Sequence, residues 1–107
     1  SLIKMYKILL ACSSGMSTSL LVTKMQDHVK SLGEEAEIWA VGQDKAKQEM
    51  EKADVVLIGP QMSFLKGEFQ KEAQKHGIQV DVIDMMAYGM ADGKKAYEQA
   101  VSLIGGK

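Results

Sequence analysis

The sequence predicts an α/β fold, a three-layer domain whose four-stranded parallel sheet has the order 2-1-3-4 and carries helices on both faces. Three observations predict it. Two short apolar runs, Ile8-Leu9-Leu10-Ala11 and Val55-Val56-Leu57-Ile58, have the composition of strands buried on both faces. Segments of helical period alternate with strands along the whole chain. A loop of small and hydroxyl-bearing residues, Cys12 to Ser19, directly follows the first run, at the point where a strand gives way to a helix.

The elements follow in order. Ile8–Ala11 is the first strand. Beyond the loop, Leu21, Met25, Val29 and Leu32 mark one face of a helix that Gly33 closes. Ser17 or Thr18 is placed to cap its start. Ala36, Ile38 and Ala40 alternate with Glu35, Glu37 and Trp39, the pattern of a half-exposed edge strand. Residues 43–52 are polar apart from Ala46 and Met50, which predicts a short, weakly held helix. Val55–Ile58 is the third strand, ended by Gly59-Pro60. Leu65, Phe69, Ala73 and His76 form the next helical stripe, terminated by Gly77. Ile78, Val80, Val82 and Ile83 make the fourth strand. Asp92-Gly93 opens a last helix with Ala96, Ala100, Val101 and Leu103 facing inward, ended by Gly105-Gly106. The two most apolar strands, the first and third, belong in the centre, and crossovers are right-handed. The switch point then lies between their carboxyl ends, with Cys12 in the crevice and Gly59-Pro60-Gln61 as the neighbouring wall.

A chain of 107 residues, 46% hydrophobic and 25% charged, reads as one globular domain, 1–107. A net charge of -1 offers no global field for nucleic acid or an anionic membrane. All 13 basic residues are Lys, so the bidentate clamp that Arg provides for phosphate is missing. Any phosphate must be held by backbone amides, hydroxyls or Lys. The single cysteine excludes an internal disulfide and a Cys-only zinc cluster, and fits a reducing compartment. His28 and His76 are far apart in sequence and form no metal-ligand pair, so neither metal nor cofactor is expected. No apolar run approaches the roughly 20 residues needed to span a bilayer. The first residues are too short and too interrupted for a signal peptide, and Met5 would serve as a natural start. A cytoplasmic protein without direct membrane insertion is the expectation.

The loop carries the chemistry. A chain leaving a strand for a helix presents successive N–H groups to one point, and the helix start adds partial positive charge. Small residues let an anion approach. The same field favours a thiolate: free Cys ionises near ~8.5, and helix N-termini lower that value. A thiolate on Cys12 is a phosphoryl acceptor whose phosphoryl oxygens would bind the amides of residues 13–19. A second reading stays open from the residues alone, a small apolar side chain closing the strand. The setting favours chemistry, because Cys12 is followed by one Gly and the hydroxyls of Ser13, Ser14, Ser17, Thr18 and Ser19 instead of an apolar run.

Cys12-Ser13-Ser14-Gly15-Met16-Ser17-Thr18-Ser19 resembles the phosphocysteine loop of the lactose/cellobiose-type enzyme IIB components of the bacterial sugar phosphotransferase system (PTS). The likeness extends to Ala53-Asp54-Val55-Val56-Leu57-Ile58-Gly59-Pro60-Gln61, Val82-Ile83-Asp84 and Tyr88-Gly89, nearly the whole chain. The Met-Ser-Thr-Ser continuation looks like the cellobiose/chitobiose/lactose branch. The resemblance implies a phosphoryl carrier. A phosphohistidine on a IIA protein donates to Cys12, the phosphocysteine docks on the IIC permease, and the phosphoryl group passes to the imported sugar, such as cellobiose, chitobiose or lactose. It also implies that Ser13, Ser14, Gly15, Met16, Ser17, Thr18 and Ser19 bind the phosphoryl group.

The chemical competitor is a low-molecular-weight phosphatase or reductase with a Cys-x5-Arg loop on a similar sheet. Such a loop needs Arg at position 18, where this chain has Thr18. A transition-state Arg in phosphoryl transfer is worth orders of magnitude in rate, so its absence fits a carrier that keeps phosphate from water. A non-catalytic regulatory module on the same fold is the third reading. Asp84 reads as a turn or capping residue, with general acid as the alternative. His76 reads as a solvated residue at a helix end and His28 as a surface residue. Met25 and Met50 fit core stripes, whereas Met16, Met62, Met85, Met86 and Met90 lie in or beside loops at the active rim. There they serve either as a soft docking rim or as gap-fillers.

Overall fold

The computed structural model describes residues 5–13 and 18–105. Strand β1, Tyr6–Cys12, is buried from Ile8 to its end, and β3, Val55–Ile58, is buried throughout. Both are central. β2, Ala36–Gly42, flanks β1 on one side in parallel, from Tyr6↔Ala36 to Cys12↔Gly42. β3 flanks it on the other, from Ile8↔Val55 to Ala11↔Ile58. β4, Gln79–Val82, pairs with β3 at the far edge. The order is β2-β1-β3-β4, all parallel, as the sequence predicts.

Period-two alternation divides the central strands between two cores. Ile8, Leu10, Val55 and Leu57 face α1 (Ser19–Ser31) and α5 (Gly93–Gly105), meeting Leu21, Met25, Val29, Ala96, Ala100 and Ile104. Leu9, Ala11, Val56 and Ile58 face the other layer. That layer is α2 (Gln43–Glu49), the 3-10 turn Met50–Lys52 and α3 (Lys66–Gln74), which contribute Ala46, Met50, Phe69 and Ala73. The three-layer reading holds. No described helix is long and apolar enough to cross a membrane.

Gly33 closes α1 at φ +71, and Glu34 N–H returns to the Val29 carbonyl at 3.2 Å. That left-handed turn is open to Gly without strain. Gly93 serves a different end. A Cβ there would run into the backbone of Lys24, so its absence lets the start of α5 cross against α1. Asp92 caps that start by accepting Lys95 N–H at 3.1 Å.

Several expectations are corrected. Leu32 is 49% exposed, because it follows the last helical residue and the chain is already turning toward Gly33. His76 lies past the end of α3, outside the buried stripe, which stops at Ala73. His28 is half-buried, its ring edge-on to Tyr97 with centroids 5.8 Å apart. The stretch after β4 is a six-residue helix, α4 (Met85–Met90), and not a loop. Ala91 ends it in the left-handed conformation, φ 51.

Candidate functional site

The carboxyl ends of β1 and β3 meet where the crossovers part, α1 lying on one face of the sheet and α3 on the other. Cys12 is the last residue of β1. The turn after β3 is fastened beside it by Gly59 N–H, which donates to the Ala11 carbonyl at 2.9 Å. Ile83 N–H donates to the Ile58 carbonyl at 2.9 Å and brings the end of β4 alongside. This is the crevice that the strand order predicts.

Thr18 stands at the start of α1 as its N-cap residue, but its side chain does not cap the helix. Its hydroxyl donates to Cys12 Sγ at 3.4 Å instead. Thr18 is fully buried, and so is Cys12. The sulfur is enclosed, in the apolar layer that holds Ala11, Ala46 and Met62. The first turn of α1 has no acidic residue of its own to offset the positive end of the helix dipole.

Position 18, where a Cys-x5-Arg loop places its Arg, thus holds a hydroxyl directed at sulfur. Ser13 is exposed just past β1, and Ser19 is exposed as the first residue of α1, its carbonyl accepting from Thr23 Oγ1 at 3.2 Å. Ser14, Gly15, Met16 and Ser17 lie outside the described residues.

The opposite wall contains a relationship the sequence does not announce. Gln61 Nε2 donates to Tyr88 Oη at 3.1 Å, so the turn after β3 is tied to α4. Gln99, on α5, donates to the Val82 carbonyl at 2.8 Å and accepts Asp84 N–H at 2.9 Å, which fixes the end of β4. The one hint is a polar amide at a position adjoining the apolar face of a helix. Asp84 caps α4 by accepting Ala87 N–H at 3.0 Å, as the turn-and-cap reading expects.

Met25 and Met50 are core. Met62 is also core, 1% exposed, because the 3-10 turn Pro60–Leu65 directs it inward against the second layer; the gap-filling reading applies to it and the rim reading does not. Met85, Met86 and Met90 are exposed on α4. His76 Nε2 lies 3.7 Å from Glu72 of α3, and neither histidine belongs to the site. Among the described residues no group of three His, Cys, Asp or Glu is gathered to hold a metal.

These features define a class, a small parallel α/β domain with a lone thiol closing its first central strand against the start of a long helix. Residues 7–99 match the family described as PTS system, Lactose/Cellobiose specific IIB subunit. The oligo-beta-mannoside-specific EIIB component of Bacillus subtilis (strain 168) is 80% identical over 100 residues, 94% of this chain and 97% of that protein. The cellobiose-specific EIIB component of Lactococcus lactis subsp. lactis is 44% identical over 102 residues, 91% of this chain and 94% of that protein. A solution structure of the cellobiose-specific phosphotransferase IIB component from Borrelia burgdorferi superposes with a TM-score of 0.81 at 32% identity, covering 97% of this chain and 95% of that one. The chain belongs to the lactose/cellobiose-specific IIB family, and is a phosphotransferase component of a sugar PTS.

Proposed function

We propose that Cys12 is the phosphoryl acceptor of this IIB component and that the phosphoryl group passes through it from a IIA phosphohistidine to a sugar carried by the IIC permease. The observation that carries the reading is the placement of the chain's one thiol at the sheet's switch point, beside a helix start free of acidic residues. In the first transfer the Sγ electron pair forms the S–P bond, the P–N bond breaks, and the imidazole nitrogen keeps the pair. In the second a sugar hydroxyl oxygen attacks phosphorus, the S–P bond breaks, the pair returns to sulfur, and the hydroxyl proton is released. Amides of residues 13–19, with the hydroxyls of Ser13, Ser14, Ser17, Thr18 and Ser19, hold the phosphoryl oxygens; Gly15 and Met16 contribute backbone alone. Because the sulfur is fully buried, it must become accessible before a phosphoryl group can reach it.

The 80% identical relative is named for oligo-beta-mannosides, which supports a β-linked oligosaccharide as the sugar. The chain works as one domain, 1–107, in the cytoplasm, meeting the membrane only through IIC. The absence of Arg disfavours a phosphatase, since no guanidinium is present to speed attack by water.

Incubation with a phosphorylated lactose/cellobiose-type IIA protein, followed by intact mass measurement, tests the reading. One phosphoryl group should appear, absent from Cys12→Ser and removed by iodine. Steady turnover of an aryl phosphate without any partner would support a phosphatase instead, and neither labelling nor turnover would leave a regulatory module.

A further inference from the structure

We infer that the Thr18 hydroxyl is a donor that favours Cys12 as a thiolate before transfer and stabilises the sulfur as a leaving group after it; this rests on Cys12 being the acceptor. Among the described residues Thr18 is a fully buried polar side chain at the sulfur, with Oγ1 3.4 Å from Sγ. Its position at the head of α1 would ordinarily commit the hydroxyl to a backbone N–H of the first turn, and it makes no such bond. Its own carbonyl is used separately, accepting Val22 N–H at 2.9 Å.

Cys12 belongs to the apolar layer that also holds Ala11, Ala46, Ile58 and Met62. Such surroundings oppose charge on sulfur, whereas a donor aimed at sulfur favours it, and most strongly when the acceptor is an anion. Thr18 therefore counteracts the cost of ionising a buried thiol. Once the S–P bond forms, sulfur carries no charge and the hydroxyl is released to a phosphoryl oxygen. When that bond breaks, the electron pair returns to Sγ and the same hydroxyl stabilises it. Thr18 performs at sulfur what a guanidinium at its position would perform at the phosphoryl oxygens, and it does so without assisting hydrolysis.

Other titratable side chains at this edge are Asp44 and Lys45 in the first turn of α2, which follows the residue paired with Cys12, Asp84 at the α4 cap, and Tyr88. Asp84 and Tyr88 are engaged with Ala87 and Gln61. All four are unchanged in the variants below, so a shift reports on Thr18.

The test compares Thr18→Val, which removes the hydroxyl and keeps the shape, with Thr18→Ser, which keeps the hydroxyl. Cysteine labelled at 13Cβ gives one NMR signal in this single-cysteine chain, and its pH titration reads the thiol directly. Thr18→Val should raise the ionisation point by about one pH unit or more, and Thr18→Ser should restore it. Return of the phosphoryl group from the phosphorylated chain to unphosphorylated IIA should slow by about tenfold or more in Thr18→Val and recover in Thr18→Ser. Thr18→Ala gives the same two readouts if Val is not accommodated. An unshifted titration together with an unchanged return rate in the folded hydroxyl-free variants overturns the inference. Failure of the unmodified chain to take phosphate on Cys12 would instead overturn the acceptor reading, while the titration would still report the bond between Thr18 and sulfur.

Discussion

Gln61 Nε2 and Tyr88 Oη lie 3.1 Å apart, joining the turn after β3 to α4 across the carboxyl edge of the sheet. The Gln61 side chain lies over Gly59, where an added Cβ would collide with its amide oxygen. Tyr88→Phe should cost no more than about 1 kcal/mol, the net worth of one hydrogen bond with access to solvent. Gly59→Ala should displace the flexible Gln61 side chain and disturb the same bond. Urea denaturation of the two single variants and the double variant should therefore show a combined effect smaller than the sum.

Gly93→Ala tests the close crossing of α1 and α5. The new methyl would meet the Lys24 backbone, which cannot swing aside as a side chain can. The expected loss is about 1–3 kcal/mol, typical of overpacking, read as a lower thermal midpoint. Gly67→Ala, in α3, has nothing near its Cβ and should not show that loss.

Tyr97 predicts a weakness at alkaline pH. Burial first, then its hydrogen bond to Glu34 at 3.2 Å, pushes its phenol up to about 12 from 10.0. A raised folded value means that the unfolded chain loses its proton first. The contribution to stability is fully present below pH about 10 and is lost as pH rises toward about 12. Denaturation across that window should show stability falling with pH, and Tyr97→Phe should flatten the fall.

Glu49 predicts an effect at the acid end. Lys52 and then the Trp39 indole donate to its carboxylate and lower its pKa below the ordinary 4.5. A depressed folded value contributes stability above the unfolded pKa that is lost as pH falls through the folded one. Trp39 is the chain's one Trp, so its fluorescence should titrate below the ordinary Glu range. Glu49→Gln should abolish that transition.

The sheet order was legible because burial on both faces leaves an unbroken apolar run, and Ile8–Ala11 and Val55–Ile58 have one each. Helix ends were legible where a left-handed turn required glycine, at Gly33 and Gly77. α4 was not, because six residues with Ala87 alone fully buried make no stripe. Tyr97 and Ile104 are buried on α5 beside Ala96 and Ala100, although neither belongs to the inward stripe expected from the sequence. At the site, Cys12 and its loop stood out by residue type. The enclosure of the sulfur and the direction of the Thr18 hydroxyl did not, because Thr at a helix start looks like a cap in any sequence. Contacts such as Gln61 with Tyr88 join residues distant in sequence, and no local pattern encodes them.

The central claim is best tested by locating the phosphate. After transfer from phosphorylated IIA, the chain is digested under conditions that preserve both phosphocysteine and phosphohistidine, and the phosphopeptide is sequenced by mass spectrometry. Phosphate is expected on the peptide bearing Cys12 and nowhere else. Phosphate on His28 or His76, with Cys12 left as a free thiol, would contradict it.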